Sequence, residues 1–164
     1  MKGFGEKHKS KKKNNKKIKA SKEQIINQAF KFHSQGNIPE AIKYYQLLIN
    51  QGFKDHRVLS NYGSILKDLG KLKEAEISLR KAIKISPNFA LAYYNLGIIL
   101  KDIGKLKEAE DLLRKAIQIN PDFAEAHTNL ANILSELGKS QEAELSLREA
   151  IKLEPNLAQA HYNL

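Results

Sequence analysis

The chain has 164 residues, 28% of them charged and 41% hydrophobic, a balance that suits a folded, helix-rich chain. It has no cysteine, which excludes disulfides and thiolate zinc sites, and no apolar run of about 18 residues, which leaves no membrane-spanning helix. The formal charge of +10 is uneven: residues 1–21 hold nine Lys and one Glu, whereas the remaining residues hold 19 Lys or Arg against 17 Asp or Glu.

The first segment, residues 1–21, reads as a disordered basic leader. It has no apolar core of the kind a secretory signal needs and no arginine of the kind a transit peptide needs, so a cytoplasmic chain is expected. Lys11, Lys12, Lys13, Lys16 and Lys17 form a cluster without aromatics or arginine. Such a cluster reads no base sequence, but it can make weak, non-specific contact with polyanions; a solubilising leader is the plainer reading. Ser21 and Gln24 have capping-box spacing, which starts ordered structure near Lys22.

From there the chain repeats at a period of 34. Residues 56–89 and 90–123 share 21 of 34 positions, and residues 124–157 share 16 of 34 with the block before them. Residues 22–55 follow the same register more loosely, with Gln28 and Phe53 as departures, and residues 158–164 begin a fifth block. Each block reads as two helices, A and B. In the third, Tyr93, Leu96, Gly97 and Leu100 give helix A an apolar stripe, and Ala109, Leu112, Leu113, Ala116 and Ile117 do so for helix B. Gly36, Gly70, Gly104 and Gly138 fall at the A-to-B turn, where a left-handed residue often ends a helix. Pro87, Pro121 and Pro155 stop the B helices. Asp122 with Glu125, and Asn156 with Gln159, have capping-box spacing for the next A helix.

Small residues recur in register: Ala75, Ala109 and Ala143; Ala82, Ala116 and Ala150; Gly63, Gly97 and Ala131. They let neighbouring helices approach, with Leu79, Leu113 and Leu147 filling the space beside them. The period, the small residues at block positions 8, 20 and 27, Gly at 15 and Pro at 32 resemble the tetratricopeptide repeat, over residues 22–164. The repeated fragment is especially similar to repeats of O-linked N-acetylglucosamine transferases and of bacterial, notably cyanobacterial, tetratricopeptide proteins. The resemblance implies an all-α, right-handed superhelical solenoid with repeats at 22–55, 56–89, 90–123 and 124–157 and the start of another at 158–164.

Asn27, Asn61, Asn95, Asn129 and Asn163 recur at block position 6. The resemblance implies that helix A lines a concave face, so these residues would form a ladder there. An amide side chain offers donors and an acceptor, so it can pair with both halves of an extended peptide backbone without reading its sequence. In the transferases a comparable ladder holds the substrate peptide. Tyr94, at block position 5, and Lys67 and Lys101, at position 12, are further groove candidates; the side chains at these positions vary between blocks, as a selective surface beside a constant ladder requires, and a solvated helix end explains the charges equally well. The carboxylate clamp of some co-chaperone repeats is absent, because Ile26, Leu91 and Asn95 stand where it needs basic side chains.

No catalytic motif, cofactor loop or metal-ligand spacing occurs, and His127 and His161, spaced 34 apart, read as packing residues. Leu157, Ala160 and Leu164 are expected to leave an apolar edge, which suggests truncation or self-association. The function expected is a scaffold that binds a protein or an extended peptide in its groove. The alternative is the substrate-recruiting region of a longer, glycosyltransferase-like enzyme.

Overall fold

The structure, a computed structural model, describes residues 22–164; the leader lysines Lys11, Lys12, Lys13, Lys16 and Lys17, and Ser21, lie outside the described residues. The described residues are helical throughout, without a strand. They fall into two compact units, divided between Lys54 and Asp55.

In the first unit α1 (22–34) and α2 (Ile38–Asn50) join at Gly36, whose φ of 70° is the left-handed turn expected there. Ile26, Ala29, Ala41, Tyr45 and Leu48 are fully buried. Tyr45 also takes part in a 3.2 Å hydrogen bond with His33 Nδ1 and packs on the Phe30 ring. No proline ends α2. Instead Gly52, at φ 71°, donates to Ile49 O and Phe53 donates to Leu48 O, so a glycine cap does the work of the missing proline.

The second unit contains α3 (His56–Asp68), α4 (Leu72–Ile85), α5 (Ala90–Asp102), α6 (Leu106–Ile119), α7 (Ala124–Glu136), α8 (Ser140–Leu153) and α9 (Ala158–Asn163). Consecutive helices pack antiparallel, most extensively α3 on α4, α5 on α6 and α7 on α8. Each B helix ends two residues before Pro87, Pro121 or Pro155. In α4 the buried residues Ala75, Ser78, Leu79 and Ala82 follow helical spacing and form one stripe. The contact between paired helices is close because of the small residues. A Cβ added at Gly63 would stand 2.8 Å from Leu79 Cγ, and one added at Gly97 would stand 3.1 Å from Leu113 Cγ. Ala131 takes the same place opposite Leu147, and both are buried.

Helix starts depart from expectation. The N-cap of α7 is Phe123, not Asp122, and that of α9 is Leu157, not Asn156; neither start has a side-chain cap bond. The Ala126 and His127 N–H groups bond back to the Phe123 carbonyl, leaving Asp122 one residue too early to cap. Packing explains the choice: the Phe123 ring lies 4.7 Å from that of Tyr94 and fixes where the chain enters α7. The true side-chain cap is Asp55, which accepts from the Arg57 and Val58 N–H groups and from the Arg57 guanidinium. Burial pushes the Asp55 carboxyl up, but these hydrogen bonds outweigh it and hold it below its ordinary value.

Charges link the B helices. Glu76 pairs with Arg80 and Arg80 with Glu108; Glu110 pairs with Arg114 and Arg114 with Glu142. Each arginine therefore bridges its own helix to the next B helix. Glu110 is the most enclosed member, 5% exposed, and also accepts from Lys139 Nζ at 2.7 Å. The expected C-terminal edge is only partly apolar and exposed. Ala160 is fully buried, because its position near the start of an A helix faces the preceding helix B, as it does for Ala92 and Ala126. Leu164 and, unexpectedly, Tyr162 are exposed, and Leu157 is half-buried.

Candidate peptide-binding face of the A helices

The A helices of the second unit are neighbours in order: α3 contacts α5, α5 contacts α7 and α7 contacts α9. Because the helices start 34 residues apart, Asn61, Asn95, Asn129 and Asn163 occupy the same position on each, and all four are half-buried. Asn27 occupies that position on α1, in the first unit, where it is exposed.

The four amides differ in what they bond. Among the described residues Asn61 and Asn95 make no side-chain hydrogen bond. Asn129 donates to Tyr94 OH at 3.2 Å and to Glu125 O at 2.9 Å. Asn163 donates to Asn132 Oδ1 at 2.6 Å and accepts from Gln159 Nε2 at 2.9 Å. Tyr94 is held by its ring contact with Phe123, and burial together with the nearby Glu125 charge raises its hydroxyl above the ordinary tyrosine value. It stays protonated at neutral pH. Lys67 pairs with Asp68 beside it at 3.3 Å, whereas Lys101 is half-buried and has no ion pair among the described residues.

The histidines have a role that the sequence pattern missed. His127 Nε2 lies 3.1 Å from Pro121 O, and His161 Nε2 lies 2.7 Å from Pro155 O. Each closes the turn between helix B and the next A helix, a hydrogen-bonding role beyond the packing expected of them. The signal was present: both stand six residues after a proline in the same register. No group of three or more metal-ligating side chains occurs among the described residues. None of the described helices is long and apolar enough to cross a membrane.

Models of the tetratricopeptide repeat match residues 90–123 and 112–144, and a model described as TPR repeat matches residues 63–104. The chain is a tetratricopeptide-repeat protein. Solved structures agree. The chain is similar to a crystal structure of MamA, at 25% identity and a TM-score of 0.73, covering 82% of this chain and 79% of that one. It is similar in fold to YrrB, titled a TPR protein with an unusual peptide-binding site, at 20% identity and a TM-score of 0.73, covering 84% of this chain and 71% of that one. It is also similar to an O-GlcNAc transferase of Thermobaculum terrenum, at 27% identity and a TM-score of 0.62, covering 65% of this chain but 20% of the transferase. No curated protein matches the chain. Tetratricopeptide repeats generally serve protein–protein interaction and are typically non-catalytic.

Proposed function

We propose that this tetratricopeptide chain is an interaction scaffold whose A-helix asparagines hold an extended segment of a protein partner. The observation that carries the reading is the register of Asn61, Asn95, Asn129 and Asn163 on adjoining A helices, with two of the amides unspent. An unspent amide beside water gives up little on binding, and it meets a peptide unit with one donor and one acceptor at once. Tyr94, next to Asn95 in the sequence, and Lys101, further along α5, supply contacts a partner's side chains can meet. A net hydrogen bond contributes about 0.5–1.5 kcal/mol, so a few rungs reach roughly micromolar affinity at most, because ordering the peptide opposes them.

The test is selection of binding peptides from a random library, followed by Asn61→Ala and Asn95→Ala together. The double variant should keep its helical circular dichroism and bind the selected peptides at least tenfold more weakly. Unchanged binding would make the asparagines solvated surface only. The likeness to the transferase favours a second reading, in which the same face recruits substrate for a glycosyltransferase-like domain encoded beyond residue 164. Sequencing the transcript past that codon decides between the two.

A further inference from the structure

The asparagines share a register, but the hydrogen bonds around them do not repeat. Gripping a peptide backbone from the side takes one N–H and the carbonyl oxygen of the same amide. Asn129 has both N–H groups engaged, by Tyr94 OH and Glu125 O, and only its Oδ1 remains. Asn163 has its oxygen engaged by Gln159 and one N–H by Asn132. Asn61 and Asn95 keep donor and acceptor together, with no side-chain hydrogen bond among the described residues.

The cause lies one position before the asparagine on the preceding A helix. Tyr94 on α5 is long enough to reach Asn129 on α7. Its counterpart on α3 is Ser60, whose hydroxyl is fully buried and has no partner, so Asn95 is left alone. The counterpart on α7 is Thr128, which turns its hydroxyl back to Ala124 O at 3.1 Å; Asn163 then finds Asn132 instead. A peptide arriving at Asn129 has to displace a bond the protein already makes, and it gains little from the exchange; Asn163, which keeps one N–H and one oxygen lone pair, lies beyond that closed rung.

We infer that the binding face in the second unit is two rungs long: Asn61 and Asn95 grip one extended peptide backbone, and the Tyr94 hydroxyl closes the site by holding Asn129. Neighbouring packed helices lie about 8–10 Å apart, and an extended chain advances about 3.3 Å per residue. The two rungs therefore grip peptide units roughly three residues apart, and a segment of about four residues fills the site. Tyr94 is a positioning residue that sets the length of the ligand. The inference rests on the proposed peptide-binding role of this face.

The experiment follows the side-chain amide signals of the asparagines by heteronuclear NMR, on the full chain. The probes are capped, uncharged alanine–serine peptides of four and eight residues, at millimolar concentration. In the unsubstituted protein the Asn61 and Asn95 signals should move and those of Asn129 and Asn163 should not. Tyr94→Phe keeps the ring against Phe123 and removes only the hydroxyl. In that variant the Asn129 signals should move as well, and affinity for the eight-residue peptide should rise about fivefold while that for the four-residue peptide stays level, as one added hydrogen-bonded rung requires. If no asparagine signal moves in either protein, the peptide-binding reading itself fails. If Asn129 or Asn163 moves alongside the others in the unsubstituted protein, peptide binding stands and the two-rung limit is overturned. If the variant leaves Asn129 unmoved, Tyr94 does not close the site.

Discussion

Ser60 shows how one side chain can be wrong for stability in a place that matters elsewhere. Its hydroxyl is the sole fully buried side-chain polar atom without a partner among the described residues. A buried polar group left unmatched costs about 1–3 kcal/mol, so Ser60→Ala should leave the protein as stable or raise its urea midpoint by an amount worth about 1 kcal/mol. A fall in the midpoint would mean that the hydroxyl has a partner after all. Gly63 and Gly97 make a second comparison. Alanine in a helix interior gains about 0.8–1 kcal/mol over glycine, yet a methyl at Gly63 meets buried Leu79 at 2.8 Å. Gly97→Ala, with 3.1 Å to Leu113 and Ala131 as a precedent in the fourth block, should be close to neutral by thermal denaturation. Gly63→Ala should be worse than Gly97→Ala by about 1–2 kcal/mol, since overpacking forces the leucine off its rotamer. The need for small residues at these places was legible from their recurrence. The difference between the two glycines was not, because it is set by a few tenths of an ångström in the helix spacing.

Pairs of helices are held by packing and by charge together, and the charges make stability depend on pH. The Lys139 ammonium beside Glu110 holds its carboxyl below the ordinary value of 4.5; burial opposes this, and the Arg114 guanidinium adds to it. In the window between that ordinary value and the lowered folded value, the unfolded chain binds more protons than the folded one, so stability rises with pH. The contribution is complete above the ordinary glutamate range and is lost as pH falls through the folded value. Glu110→Gln should therefore destabilise the protein by about 1–3 kcal/mol at pH 7 and flatten the acid limb of its stability curve. Urea denaturation from pH 3 to 7 checks both, and parallel curves for the two proteins would contradict the assignment. At this scale the helices, their turns at Gly70, Gly104 and Gly138 and their stops before proline followed from the period together with the apolar stripes, glycines and prolines it repeats. The helix starts did not. Sequence spacing nominates Asp122 and Asn156 as caps, whereas ring packing by Phe123 moves the start of α7 by one residue, and no spacing rule contains that contact. The arginine bridges were written in the sequence, in the Glu and Arg that recur in α4, α6 and α8, but only as a charge pattern that a solvated surface would show equally.

For the whole molecule the first lever is charge. Residues 1–21 carry a net +8 and the rest +2, so deleting residues 1–20 should abolish binding to a polyanion such as heparin while leaving peptide binding intact. Contacts to 6–10 phosphates would lose roughly 10³–10⁵ in affinity between about 0.05 and 0.2 M salt, a dependence that fluorescence titration resolves. Polyanion binding by the shortened chain would place the basic surface on the helices. The peptide face was half legible: recurrence put Asn61, Asn95, Asn129 and Asn163 in line, but their unequal hydrogen bonds depend on Tyr94, Ser60 and Thr128 in neighbouring helices. The close seat of a leucine against a glycine, made twice by Gly63 with Leu79 and by Gly97 with Leu113, reaches further. Two nearly identical locks accept each other's keys. A helix α6 brought to α3, or α4 to α5, would offer the same leucine to a similar notch, within one chain or between two copies. What tells the correct partner from the wrong one is the handful of contacts whose residues do not repeat, among them Tyr94 to Asn129. Refolding at high protein concentration should therefore yield exchanged dimers, and more of them when Tyr94 is replaced by Phe.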